Sequence, residues 1–261
     1  MIKTVTATRY ITPLREGGSL PAIVEADDGQ QYVMKFVGAG QGPKALIADL
    51  IAGEMARHLG FRIPEIVLMS LDPMLGRSEP DPEIQDLLQA SAGRLNLGMV
   101  YLPNAFEFNM MLNPAPDRLL ASQVVWFDAY ITNVDRTDRN VNLLIWNEAL
   151  WLIDHGAALY FHHNWAGFEP NDQSKFAMIK DHTLLRFAHH IAEADELLRP
   201  QLNTEILEAI MALIPDEWLG EEERFANHDE HRQAYVTYLL NRLAQSSIFV
   251  EEAINAQAQL V

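Results

Sequence analysis

The amino-acid sequence predicts an α+β chain of two lobes, from three observations. Short strand patterns share the first hundred residues with two helical patterns, and the remainder is mostly helical, apart from one hairpin near the middle. Leu102 is followed by Pro103-Asn104, which breaks the chain, so the expected division is an N-lobe over 1–102 and a helical C-lobe over 103–261.

In order along the chain, the first clear signal is Asp27-Asp28-Gly29, a turn that joins a strand around Ala22 to Ala26 to a second at Gln31 to Val37. Period-2 alternation in that second strand places Tyr32, Met34 and Phe36 on one face and Lys35 between Val33 and Val37 on the other. Ala45 to Leu59 follows Gly42-Pro43 and ends at Gly60; its apolar positions Leu46, Leu50, Ile51, Met55 and Leu59 have helical spacing, with Glu54 on the same stripe. A strand pattern over Glu65 to Leu71 precedes a Pro- and acid-rich loop, a helix near Glu83 to Ala90 and a strand from Leu95 to Leu102. Leu119 to Ile131 reads as an apolar helix. The polar stretch Thr132 to Arg139 then leads into two short strands, Val141 to Trp146 and Leu150 to Ile153. Helices are expected at about Thr183 to Leu198, Thr204 to Ile214 and His231 to Ala244, punctuated by Pro200, Pro215 and Gly220.

Composition excludes several classes. Lys+Arg of 19 against Asp+Glu of 36 gives a net charge of −17, a field that repels phosphate backbones and anionic membranes. Direct nucleic-acid binding is therefore not expected. With no cysteine there is no disulfide framework, thiolate nucleophile or Cys-ligated zinc. The first eighteen residues carry Lys3, Arg9, Arg15 and Glu16 and have no long apolar run, and no later run of 18 apolar residues offers a membrane span. The expectation is a cytoplasmic protein without membrane attachment.

Chemistry concentrates in Asn133-Val134-Asp135-Arg136-Thr137-Asp138-Arg139-Asn140 and, after the hairpin, Asp154-His155-Gly156. Phosphoryl transfer from Mg-ATP needs an acidic residue at the acceptor hydroxyl and hard oxygen ligands for Mg2+. Asp135, Asn140 and Asp154 match that inventory. In protein kinases the catalytic Asp precedes a metal-binding Asn by five residues, and a hairpin then leads to an Asp-x-Gly turn. The interval from Asp135 to Asn140 is five, and Asp154-His155-Gly156 fits the turn. A strand lysine held by a helix carboxylate completes such a site, and Lys35 with Glu54 meets that need.

On Val33-Met34-Lys35-Phe36, Glu54, Asn133-Val134-Asp135-Arg136 with Asn140, and Ile153-Asp154-His155-Gly156, the chain resembles the HipA-like kinase family of the protein-kinase-like superfamily. The Asp-Arg-x-x-x-Asn element is also similar to that of phosphoinositide kinases. The resemblance implies a bilobal protein-kinase-like fold with an antiparallel N-lobe sheet. It implies Asp135 as catalytic base, Asn140 and Asp154 as Mg2+ ligands, and Lys35 paired with Glu54 over the ATP phosphates. It places main-chain groups of Met99 to Tyr101 at the adenine. Gly17-Gly18-Ser19 stands where kinases have a longer glycine loop, with backbone N–H groups for phosphate and Ser19 as a candidate for autophosphorylation. Thr137 stands where relatives commonly have His, and Val134 replaces the Arg of His-Arg-Asp. Family likeness suggests transfer to a Ser or Thr hydroxyl of a protein, toxin-type action and a neighbouring antitoxin or regulatory subunit as partner.

Other classes compete with that reading. The same fold serves small-molecule kinases and AMP transferases, and a non-catalytic module would keep the fold and bind a partner through its acidic surface. A metal-hydrolase reading draws on the pool of histidines, but no His-Glu-x-x-His is present, and the adjacent pairs His162-His163 and His189-His190 point their rings apart on any regular element.

Overall fold

The structure, a computed structural model, describes residues 2–14, 20–40, 42–72, 74–75, 81–165 and 173–260. Five strands close into a barrel in the order β1–β2–β3–β5–β4: β1 (Thr4–Pro13), β2 (Ala22–Ala26), β3 (Gln31–Lys35), β4 (Ile66–Leu71) and β5 (Asn96–Val100). Neighbours run antiparallel except β1 and β4, whose parallel pairing closes the ring. The β2–β3 hairpin turns where Asp27-Asp28-Gly29 predicts, with Gly29 at φ +79°, a conformation that suits a residue without Cβ. The Tyr32 hydroxyl donates to Asp28 at 2.7 Å across that turn, and Lys3 pairs with the same carboxylate. Tyr32 and Met34 point into the barrel with Val5, Ala7, Val24 and Met69. Lys35, one step out of phase, faces the opposite side of β3, as the alternation predicts.

Helix α1 (Gly42–His58) follows β3 and is buried nearly all round, Leu46, Ala48, Leu50, Ile51 and Ala52 being at most 2% exposed. A helix apolar on every side is a core helix. It packs on β4 and β5 and also on two helices from the C-terminal part, so a single apolar cluster runs from α1 through both halves of the chain. Gly53 sets the approach to the barrel: a Cβ there would come within 2.4 Å of Ile66 Cδ1. Helix α2 (Pro82–Ser91) starts at Asp81, whose side chain accepts from the Glu83 N–H.

The rest of the chain is helical around a small sheet of β6 (Phe106–Glu107), β7 (Leu143–Trp146) and β8 (Ala149–Leu152). Helix α3 (Arg118–Tyr130) begins with Asp117 accepting from the Leu119 and Leu120 N–H groups and buries Trp126, Phe127 and Tyr130 completely. Helices α4 (Ile191–Leu198) and α8 (Ser246–Ala258) pack on α3, and α5 (Thr204–Met211), α6 (Asp216–Leu219) and α7 (His228–Ala244) complete the group.

The helix expected from Thr183 begins only at Ile191; short 3-10 turns at Ala177–Asp181 and Leu185–Phe187 occupy the stretch before it. There the backbone bonds elsewhere: the Thr183 N–H donates to the Arg136 carbonyl at 3.1 Å and the Leu184 N–H to His182 Nδ1 at 3.0 Å. No helix among the described residues is long and apolar enough to cross a membrane.

Candidate active site

A cleft of about 1040 Å³ lies between the barrel and the helical part, lined on one side by Val33, Lys35, Met99 and Leu102 and on the other by Asp135, Asn140, Ile153 and Asp154. The strand register places Lys35 opposite Leu97 on β5, with its Nζ directed at two carboxylates: 2.7 Å to Asp49 Oδ2 and 2.7 Å to Asp154 Oδ1. Burial opposes charge on Lys35, but these two carboxylates outweigh it and hold the ammonium above its ordinary pKa. Burial alone would raise Asp154; Lys35 and the Gly156 N–H, which donates at 3.3 Å, bring it below the ordinary carboxylate range.

The carboxylate that meets Lys35 from α1 is Asp49, not Glu54. Glu54, five residues on from Asp49 and so about 140° around the helix, instead accepts from Arg57 Nε at 3.3 Å. Asp49 is wholly buried, and its second oxygen accepts the His155 N–H at 2.7 Å, which ties α1 to the Asp154 turn. Burial, with the nearby Asp154 charge, pushes its carboxyl up to about 6 against the pull of Lys35. One sequence signal for Asp49 exists: it is the only charge within the run Ala45 to Gly53. The Asp154 turn is tight. Asp154 itself sits at φ +50°, a strained region for a residue with a side chain, and a Cβ on Gly156 would lie 3.2 Å from Asp49 Oδ2.

Asp135 and Asn140 meet across a small turn in which Thr137 and Asn140 exchange both backbone hydrogen bonds, at 3.0 and 3.1 Å. The Asn140 amide donates to Asp135 Oδ2 at 2.6 Å, so its own carbonyl oxygen stays available to a cation. Burial, joined by the charge of Asp154, raises the Asp135 carboxyl above its ordinary value despite that hydrogen bond. The structure thus gathers Lys35, Asp135, Asn140 and Asp154 at one cleft. At β5 the Val100 N–H donates to the Glu65 carbonyl and the Tyr101 N–H to the Gln31 carbonyl, both at 2.9 Å, while the Leu102 N–H, bordering the cleft, makes no hydrogen bond among the described residues. Gly17, Gly18 and Ser19 lie outside the described residues.

The model of HipA-like kinases matches residues 8–252. The chain belongs to that family. As a HipA-like kinase it shares its fold with two solved kinases. The Helicobacter pylori proinflammatory kinase CtkA superposes with a TM-score of 0.61 at 11% identity, covering 100% of this chain and 99% of that one. The Golgi casein kinase with Mn/ADP bound gives 0.50 at 13% identity, covering 100% of this chain and 75% of that one. No curated protein matches the chain significantly.

Proposed function

We propose that this HipA-like kinase binds Mg-ATP in the cleft and transfers the γ-phosphoryl group to a Ser or Thr hydroxyl of a protein. The observation that carries the reading is Lys35, bridging Asp49 and Asp154 at 2.7 Å each in the same cleft as the Asp135–Asn140 pair. Such transfer is catalysed by positioning and electrostatics, and these are the groups it requires. Lys35 reaches the α and β phosphates while Asp49 keeps it oriented and charged. Asp135, its carboxyl raised, accepts the hydroxyl proton.

The Asn140 carbonyl oxygen and the Asp154 carboxylate, both hard oxygen donors lining the cleft, are the groups that would hold Mg2+. The cation supplies charge neutralisation at the phosphates. The Golgi casein kinase with Mn/ADP bound supports that use of the cleft. At the adenine edge, beside Met99 and Tyr101, the donor would be the Leu102 N–H. Gly17, Gly18 and Ser19 are assigned to the phosphates, and Ser19 to autophosphorylation, on family likeness alone. A cytoplasmic toxin with a neighbouring antitoxin or regulatory subunit is the biological setting we favour, on family membership alone.

The test is product analysis after incubation with Mg-ATP. ADP, with a phosphate-sized mass gain that Asp154→Ala abolishes, supports the reading. Pyrophosphate with an AMP-sized gain would make the protein an AMP transferase, and nucleotide binding without turnover a non-catalytic module.

A further inference from the structure

Asp128, near the end of α3, is wholly buried and does not line the cleft. Both its oxygens are nevertheless engaged by residues on either side of Asp135. Asn133 Nδ2 donates to Oδ1 at 3.0 Å, and Arg136 Nε to Oδ2 at 2.6 Å. His182 Nε2 donates to Oδ2 at 2.9 Å, and because His182 Nδ1 accepts the Leu184 N–H, the ring carries its proton on Nε2. Arg136 then extends the grip: its Nη1 donates to the carbonyl of Asn142 and, at 3.3 Å, to that of Ile153. Asn142 follows Asn140 by two residues, and Ile153 immediately precedes Asp154. The Ile153 N–H also donates to the Asn142 carbonyl at 3.1 Å, which closes the bracket.

A buried ion pair is weak evidence for stability, since apolar side chains of similar volume often serve as well. What apolar side chains cannot supply is direction. Here one carboxylate orients a guanidinium whose donors point at three separate segments: α3, the strand leading from Asn140, and the residue before Asp154. His182 adds a fourth, because Thr137 bridges to His182 and the Thr183 N–H donates to the Arg136 carbonyl.

We propose that Asp128 is a positioning residue for phosphoryl transfer: through Arg136 and His182 it sets the spacing between the Asp135–Asn140 loop and Asp154. The inference rests on the kinase reading above. Asn140 and Asp154 stand on opposite sides of the bracket, so loosening it must weaken a divalent cation held between them while leaving the metal-independent contacts of the nucleotide in place.

The experiment measures ADP affinity with and without Mn2+ in the wild-type chain, Asp128→Asn and His182→Gln, together with ADP formation and amide hydrogen exchange. In Asp128→Asn the single remaining carbonyl oxygen cannot serve Asn133, Arg136 and His182 together. The expected result is metal-free ADP affinity within about 3-fold of wild type, and a loss of roughly 10- to 100-fold in both the Mn2+-dependent gain and kcat, the range typical of supports behind metal ligands. His182→Gln should show a smaller loss in the same sense. An unchanged Mn2+-dependent gain in folded Asp128→Asn, or in His182→Gln if the former does not fold, overturns the proposal. If the wild-type chain shows no such gain, the kinase reading fails and hydrogen exchange decides the bracket. Faster exchange at both Asn140 and Ile153, with the β4 and β5 amides unchanged, supports it; a change confined to 133–136 overturns it.

Discussion

Asp49→Asn preserves volume and removes one charge at the point where α1, β3 and the Asp154 turn meet. The carbonyl of the introduced amide can keep the His155 N–H at 2.7 Å, and its NH2 must then face the Lys35 ammonium across another 2.7 Å, donor against donor. Breaking a buried pair from one side costs about 3–5 kcal/mol; Lys35 retains Asp154, so about 3 kcal/mol is expected here. Lys35 is then drawn to Asp154 alone, away from the place proposed for the phosphates and onto the carboxylate proposed to hold Mg2+. If the same loss of about 3 kcal/mol falls on the transition state, turnover drops by roughly 10²-fold. Glu54→Gln is the matched control. Its pair with Arg57 is a part-buried i,i+3 contact at 3.3 Å within one helix, a kind of pair worth about 0.5 kcal/mol. The assays are urea unfolding and initial rate of ADP formation, run side by side. Wild-type turnover in Asp49→Asn, or an equal loss in Glu54→Gln, would refute the assignment of Asp49 as the partner of Lys35.

Other outcomes follow from the same geometry. Asp135→Asn should reduce ADP formation by roughly 10²-fold or more while leaving the melting temperature unchanged, because the side chain is part-exposed and, among the described residues, bonded only to Asn140; a parallel fall in melting temperature would mark it as structural. His155 is buried with neither ring nitrogen hydrogen-bonded among the described residues, and burial lowers its pKa from 6.5 to about 3. The unfolded chain therefore takes up this proton first, and stability is lost as pH falls below 6.5, at about 1.4 kcal/mol per unit. Asp49, raised to about 6, acts with the opposite sign below pH 6, so the clean measurement is a difference between variants. Relative to wild type, His155→Phe should gain about 2 kcal/mol in unfolding free energy between pH 7 and pH 5; a pH-independent difference would show that His155 does not stay neutral. Gly53→Ala pushes a methyl into Ile66 Cδ1 and should cost about 1–3 kcal/mol. Ile66→Val, by removing that carbon, should recover part of the loss in the double variant, and simple additivity of the two would argue against the contact.

Features governed by short intervals can be read from the chain alone. Alternation in Gln31 to Val37 put Lys35 on the cleft face of β3. The five-residue interval from Asp135 to Asn140, and the Asp154-His155-Gly156 turn after a hairpin, brought three candidate site residues to one cleft because each interval spans a single turn or hairpin. Strand β1 was not legible, since only Val5 and Ala7 of its ten residues are fully buried and its closing partner β4 lies some sixty residues on. The 3-10 turns before α4 were likewise invisible, because what displaces the helix there is the carbonyl of Arg136 and the ring of His182. The partner of Lys35 shows the limit most clearly. Helix α1 is apolar on nearly every side, so its periodicity does not define which face meets the barrel, and Asp49 and Glu54 were both available to Lys35. Tertiary packing, with Gly53 seated against Ile66, fixes the rotation of α1, buries Asp49 on the cleft side and leaves Glu54 to Arg57.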